Sequence, residues 1–500
     1  MTRTSTDDFF SALQRHAARV ALNDGAVRMT YAELLRDVDA WAERLRCCGA
    51  RRVAYRLPNG RAWIALDLAL LKTGRVAVPI PDFFSARQER HALATSGVDT
   101  YVVAIDHAAP ANCGFAPTAA RGAAANILRA SAVRPVPMHA GTAKITFTSG
   151  TTGEPKGVCL SATHLLATAA AVADAIGRTA GWRHACVLPL SLLLENVAGV
   201  YANLSTGHEV CVAPLGEMGI SGSSGLNVAA FVAAQLRLRP DSIILVPQLL
   251  LALTAAAEFG ITLPATYRFV AVGGACVARS LIERARSVGI PAYEGYGLTE
   301  CGSVVALNRP SAERVGSVGR PLAHAAIDIR LGEIHVRGAT MLGYLGDRAA
   351  PDTVATGDVG AFDDAGYLHV SGRRKNNFIT AFGRNVSPEW IEGELQSEFA
   401  VGTAAVFGES LPHNVALIVP RGHCNDAAVA AAVETANARL PDYAQVALWR
   451  TVPFEDFAAA GCLTENARPR RDVIARRYAN VISEMTATLQ EKFDASLRSA

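Results

Sequence analysis

Between Tyr31 and Pro81 the hydrophobic pattern switches repeatedly between helical and strand periods, and this alternation limits the possible folds most. Leu34, Leu35, Val38, Trp41 and Leu45 share one side of a helix over Tyr31–Cys47. Arg52–Arg56 follows as a short strand, and residues 62–74 as a second helix closed by its glycine. Residues 76–80 read as a strand stopped by Pro81. Strand-like runs recur at 144–148, 185–188, 209–212, 242–246 and 269–272, and an alanine-rich helix spans 161–176. Strands alternating with helices imply an α/β fold with a largely parallel sheet. Several of these strands end in small or turn residues, where such sheets hold ligands. From about Gly316 the texture changes. Short strands at 327–329, 333–337 and 367–370, joined by Gly and Asp turns, imply a small barrel or antiparallel subdomain. The main boundary is expected beside Ser371-Gly372-Arg373, and the last segment carries its own strands and helices.

A length of 500 residues exceeds one ordinary core, so several subdomains are expected. Half the residues are hydrophobic and 19% are charged, which excludes a disordered chain. The net charge of +3 and the absence of a basic stripe leave no footprint for nucleic acid. The ten cysteines lack metal-like spacing, Met1 to Phe10 lacks an apolar signal core, and no apolar run reaches the ~20 residues of a membrane span. A reduced, cytoplasmic protein is expected. Only five residues are lysine (Lys72, Lys144, Lys156, Lys375 and Lys492), and in so arginine-rich a chain each retained lysine is a weak pointer to a position that needs one.

The chemistry concentrates in Thr148-Ser149-Gly150-Thr151-Thr152-Gly153-Glu154-Pro155-Lys156-Gly157. Glycines let backbone N–H groups approach phosphate oxygens, hydroxyls add donors, and Lys156 adds a cation. A Walker A loop needs Gly before its Lys and Ser or Thr after it. Here Pro155 precedes Lys156 and Gly157 follows, so a P-loop NTPase is a poor reading. Taken alone, the segment is also compatible with a hydroxyl-rich turn.

This segment resembles the signature of the ANL superfamily of adenylate-forming enzymes, which includes acyl-CoA synthetases, peptide-synthetase adenylation domains and luciferases. Further stations follow in that family's order: residues 29–34 (Met-Thr-Tyr-Ala-Glu-Leu), residues 71–79, Gly273-Gly274-Ala275, Tyr293-Glu294-Gly295-Tyr296-Gly297-Leu298-Thr299-Glu300, Ala355-Thr356-Gly357-Asp358 and Gly372-Arg373. The resemblance covers essentially the whole chain and is nearest to fatty and long-chain acyl-CoA synthetases. It implies a large N-terminal domain of two αβ-layered sheets plus a small β-barrel (residues 1–371). A hinge (372–375) and a small mobile α+β C-terminal domain (376–500) would follow.

The resemblance also implies roles. Thr148, Ser149, Gly150, Thr151, Thr152, Gly153 and Lys156 would hold the ATP triphosphate. Gly273, Gly274, Ala275, Tyr296 and Gly297 would flank adenine. Asp358 and Arg373 would bind ribose, and Lys375 would sit at the hinge. Thr299 would contact the α-phosphate and Glu300 would ligate Mg²⁺, to which a hard carboxylate oxygen is suited. Outside that context Asp358 reads equally as a turn residue. The implied reaction joins a carboxylic acid to AMP with loss of pyrophosphate, then passes the acyl group to the thiol of CoA or of a carrier protein's phosphopantetheine. Gly383-Arg384-Asn385-Val386-Ser387-Pro388 resembles the family's pantetheine loop.

One station departs. Family members carry Gly-Lys near the C-terminus, whereas Ala467-Arg468 stands here. Arg keeps the charge in a bulkier fork. Arg468 is read as the cation bridging carboxylate and α-phosphate; impaired adenylation is the alternative. Leucines open the stretch 188–196, where amino-acid-activating relatives place an Asp, so an apolar, aliphatic or fatty acid is expected. Core packing would explain those leucines equally well. Three functions therefore remain open: an acyl-CoA synthetase, a ligase loading a carrier protein or another nucleophile, and a non-catalytic nucleotide- or acyl-binding homologue.

Overall fold

The computed structural model describes residues 5–110, 113–122, 125–133, 136–148, 155–177, 181–221, 225–464 and 469–499. The helix Tyr31–Cys47 forms as its periodicity requires. Leu34, Val38, Trp41 and Leu45 are buried, and Leu35 is partly exposed at the edge of the stripe. Its start is set by a capping box: Thr30 accepts from the Glu33 N–H, and the Glu33 carboxylate accepts from the Thr30 N–H at 2.8 Å. Such a cap contributes about 1 kcal/mol. The next helix, Arg61–Lys72, is buried almost all round from Trp63 to Leu71 and carries Asp67 into the core.

Two large sheets dominate. In one, of eight strands among the described residues, Thr100–Ala104, Arg52–Arg56, Val76–Pro79 and Thr142–Thr148 run parallel as neighbours. Lys156–Ser161 then turns back antiparallel on Thr142–Thr148. In the other, of nine, Val20–Asn23, Glu209–Cys211, Arg183–Ala185, Ser242–Leu245, Phe269–Val272 and Ala292–Leu298 form the parallel run. Ser303–Leu307 returns antiparallel on the last of these. The two sheets share one large apolar cluster, and the helix Ala86–Ser96 packs on the eight-stranded sheet in a separate one.

The changed texture after Gly316 is a four-stranded antiparallel sheet: Ala325–Arg330, Glu333–Gly338, Thr353–Phe362 and Leu368–Arg373. Its last strand runs through Ser371 and Gly372 to Arg373, still paired with Asp358. Residues from Phe378 onward build two further apolar clusters around the strands Val401–Phe407, Asn414–Pro420 and Val446–Thr451. This part leans on the helix Arg279–Ser287, where Ser280 Oγ donates to Glu394 at 2.9 Å and Arg284 donates to the Ser397 carbonyl at 2.8 Å. No helix of the described residues is long and apolar enough to cross a membrane.

One strand is shorter than its sequence suggests. The run 185–188 is ladder only over Arg183–Ala185. The N–H groups of Val187 and Leu188 instead donate to the buried Glu195 carboxylate, at 3.1 and 2.9 Å, which releases the chain from the sheet.

Candidate active site

Two hairpins, one from each large sheet, converge on the site. In the first, Thr148 and Lys156 face each other across the antiparallel pair that flanks the phosphate segment. Ser149, Gly150, Thr151, Thr152 and Gly153 lie outside the described residues. His91 meets the carbonyl of Pro155 at 3.0 Å and braces the return of the segment into its strand. Lys156 is exposed, with Nζ 5.3 Å from the centroid of the Tyr344 ring. That contact exists because the short strand Gly343–Tyr344 adds to the sheet beside Val158 and Cys159.

The second hairpin carries the tyrosine–glycine motif. A side chain at Gly297 would meet the Ser303 carbonyl at 1.7 Å, so only glycine lets the two strands close there. The register shifts at that point, between Tyr296 and Gly297. Gly273 and Gly274 follow the strand Phe269–Val272, with Gly274 at φ 81°. A Cβ at Gly273 would sit 3.1 Å from the Gly295 carbonyl, which places the Gly273-Gly274-Ala275 turn against the strand just before Tyr296. Thr299 starts the tight turn Thr299–Cys301, its carbonyl accepting from the Gly302 N–H at 3.0 Å. Glu300 accepts from the Tyr344 hydroxyl at 2.9 Å, and its backbone carbonyl accepts from the Met341 N–H at 2.7 Å.

The antiparallel sheet supplies the far wall. Asp358 is buried and lies opposite Arg373 in register. Arg373 Nε approaches Asp358 Oδ1 at 2.9 Å, and the Tyr296 hydroxyl donates to Oδ2 at 2.6 Å. Burial, and then the Asp358 charge, hold that hydroxyl well above the usual phenol range. Arg373 also donates to the Thr356 carbonyl at 2.8 Å. Beside Arg373 and Thr356 opens a cavity of about 340 Å³, lined also by Leu298, Glu300 and Tyr344. Tyr344, Glu300 and Arg373 line this cavity, and Lys156 against Tyr344, Asp358 against Arg373 and Tyr296 against Asp358 complete an arc in which cations and carboxylates alternate.

Arg468 lies outside the described residues; its neighbours Leu463 and Pro469 pair in an antiparallel bridge. Lys375 is exposed in the turn after Arg373. The 383–388 stretch closes a small hairpin, Phe378–Ile379 against Asn385–Val386, and leads into the helix Pro388–Gln396. Of the leucines at 188–194, Leu188, Leu190 and Leu193 are core, and only Leu192 and Leu194 are partly exposed. Leu194 and Val246 come within 3.8 and 3.6 Å of a Cβ placed at Gly274, so an apolar surface adjoins the Gly273–Ala275 turn. Two members of the arc's surroundings were not foreseen. Tyr344 is one. The other is Glu333, which accepts from the Gly357 N–H and from Arg374, both at 2.9 Å. An aromatic set among glycines (Gly343-Tyr344-Leu345-Gly346) was the available sign of the first; the second carried none.

The comparisons with known proteins agree in direction. The AMP-binding enzyme family model matches residues 9–345, and the AMP-binding enzyme C-terminal domain model matches residues 376–490. The chain is 30% identical to a feruloyl-CoA synthase of an Amycolatopsis species, over 80% of this chain and 85% of that protein. It is 25% identical to the long-chain-fatty-acid–CoA ligase FadD15 of Mycobacterium bovis, over 91% of each. Among solved structures, the anthranilate CoA ligase AuaEII in complex with anthranoyl-AMP superposes with a TM-score of 0.78 at 18% identity, covering 95% of this chain and 98% of that one.

Proposed function

The chain belongs to the AMP-binding enzyme family and is an acid–thiol ligase, and we propose that it converts a carboxylic acid with an apolar body first to its acyl-AMP and then to its CoA thioester. The observation that carries this reading is the arc around one cavity. Lys156 and Glu300 supply a cation and a hard carboxylate suited to a triphosphate and its counter-ion, and Asp358, Arg373 and Tyr296 supply the polar and aromatic groups that suit a nucleoside.

The residues divide the work by chemistry. A carboxylate offers roughly four acceptor sites, so Asp358 suits the two hydroxyls of a ribose. Arg373 holds that carboxylate in place and donates beside it. Tyr296 gives the adenine an aromatic face. Glu300 would hold Mg²⁺ through a hard carboxylate oxygen, and the ion would supply positive charge to offset the phosphates. In the first step the substrate carboxylate oxygen bonds to the α-phosphorus and the bond to pyrophosphate breaks. Lys156, Thr299 and Arg468 are the groups proposed to stabilise the charge that moves, with Arg468 bridging carboxylate and α-phosphate. In the second step a thiolate attacks the acyl carbonyl and AMP leaves. Residues 383–388 would line the thiol's path, and rotation about 372–375 would bring them in. Positioning and electrostatics carry both steps.

Leu194 and Val246 beside the Gly273–Ala275 turn support an apolar acid. A fatty acid alone is too narrow an expectation: the feruloyl and anthranilate ligases among the relatives bring aromatic acids into the same class. ATP–pyrophosphate exchange over a panel of aryl, medium-chain and long-chain acids tests the proposal. Exchange with an apolar acid supports it. Exchange with none of them, while ATP still binds, would sink it in favour of a non-catalytic homologue.

A further inference from the structure

A buried polar cluster lies outside the arc. Lys144 stands in the strand Thr142–Thr148, its side chain 3% exposed, and pairs with Asp67, 1% exposed, at 2.7 Å. The ammonium also donates to Asn196 Oδ1 at 2.5 Å and meets the Tyr201 hydroxyl at 3.3 Å. Asp67 in turn accepts from Tyr55, Tyr201 and Asn196, at 2.5, 2.6 and 2.9 Å. The three donors of the ammonium and the acceptor sites of the carboxylate are therefore all engaged. Burial opposes the charge on Lys144, and Asp67 supports it.

Asn196 and Tyr201 belong to the segment Leu194–Tyr201, which is a π-helix, a wide turn that is rare and needs outside support. The other support is Glu195 in the same helix. It takes the N–H groups of Val187 and Leu188 and faces His184 at 3.0 Å. Gly199 leaves the room for it, since a Cβ there would stand 2.1 Å from Glu195 Oε1. Directly before these supported residues the chain carries Leu194, which is not fully buried and lies near Gly274.

Building on the acid-binding reading above, we propose that Lys144 is a positioning residue for acid selection. Through Asn196 it fixes the register of the π-helix, and so sets how far Leu194, at the start of that helix, projects into the space beside Gly274. A neutral aliphatic residue at 144 would leave Asp67 as an uncompensated buried charge. The variant to make is therefore Lys144→Met combined with Asp67→Asn, with Tyr201→Phe as a milder probe that keeps the ring. Each is assayed as full-length protein by acid-dependent pyrophosphate exchange over the acid panel, with thermal unfolding as a control. The expected result for the double variant is a tenfold or larger rise in KM for the preferred acid, a changed rank order of acids, and an ATP KM within twofold of the parent. Tyr201→Phe should shift the acid KM about threefold in the same direction, and it decides the matter if the double variant does not fold. An unchanged rank order with unchanged acid KM, or equal rises in the KM of ATP and acid, would overturn the proposal. If the parent itself exchanges with no acid, the functional reading fails instead.

Discussion

The cavity arc and the π-helix clamp use the same kinds of side chain to opposite ends. In the arc, Glu300 and Arg373 border open space, and their partners hold them without enclosing them. In the clamp, Asp67, Lys144 and Glu195 are sealed from water and their hydrogen-bonding capacity is spent on the protein itself. A polar group with unspent capacity facing a cavity can bind a ligand; a saturated buried one can only hold its neighbours in place. Changes in the arc should therefore move nucleotide kinetics and spare stability, and changes in the clamp should do the reverse.

Asp358→Ala breaks the arc hardest. It removes the acceptor proposed for both ribose hydroxyls, and hydrogen bonds to a charged group are worth ~1.5–3 kcal/mol each, so kcat/KM for ATP should fall roughly a thousandfold. Steady-state kinetics at varied ATP checks it. Glu195→Ala probes the other side. It orphans two buried N–H groups and His184, so the free energy of unfolding in urea should drop by about 3 kcal/mol. ATP KM should not follow. Glu300→Gln keeps the shape of its side chain and loses its charge; adenylation should fall roughly a hundredfold, with more Mg²⁺ needed for half-maximal rate. A magnesium titration reads this directly. Tyr344→Phe removes a single hydrogen bond to Glu300, worth about 1 kcal/mol, and should cost about fivefold in kcat/KM.

The smallest effect is expected at Glu294, on the strand that leads into the arc. Burial raises its carboxyl from 4.5 to about 8. The folded protein then holds a proton that the unfolded chain gives up near the ordinary carboxylate value, so stability declines as pH rises between these two values and the penalty is complete above the higher one. Glu294→Gln removes the titration. Its melting temperature should decline less than the parent's between pH 5 and 8, by about 2 °C; an equal decline would assign the effect to other groups.

The arc was more legible in the sequence than the clamp, for physical reasons. Tyr296, Gly297 and Glu300 sit on one short hairpin, and Asp358 and Arg373 on paired strands, so local motifs carry them. Tyr344 reaches Glu300 only because a two-residue strand docks on a distant sheet. The clamp was hidden inside a hydrophobic run. Glu195 and Asn196 close a row of leucines, and no local pattern tells a pocket wall from a core or announces a π-helix. Lys144 alone left a trace, as a lysine retained in a chain that uses arginine almost everywhere else. The largely parallel sheets and the antiparallel subdomain were readable because period and turn residues are local properties. The early end of the 185–188 strand was not, because the Glu195 carboxylate, beyond the end of that run, takes its N–H groups.

The most direct measurement is the product balance of a single reaction. Purified protein, ATP, Mg²⁺, CoA and the acid that exchanges best are combined, and AMP and acyl-CoA are quantified together by mass spectrometry. The predicted result is AMP and thioester in equal amounts, both absent without the acid and both lost in Asp358→Ala. ATP bound but no AMP formed with any acid, or AMP formed in Asp358→Ala as fast as in the parent, would contradict the assignment of this cavity as the adenylation site.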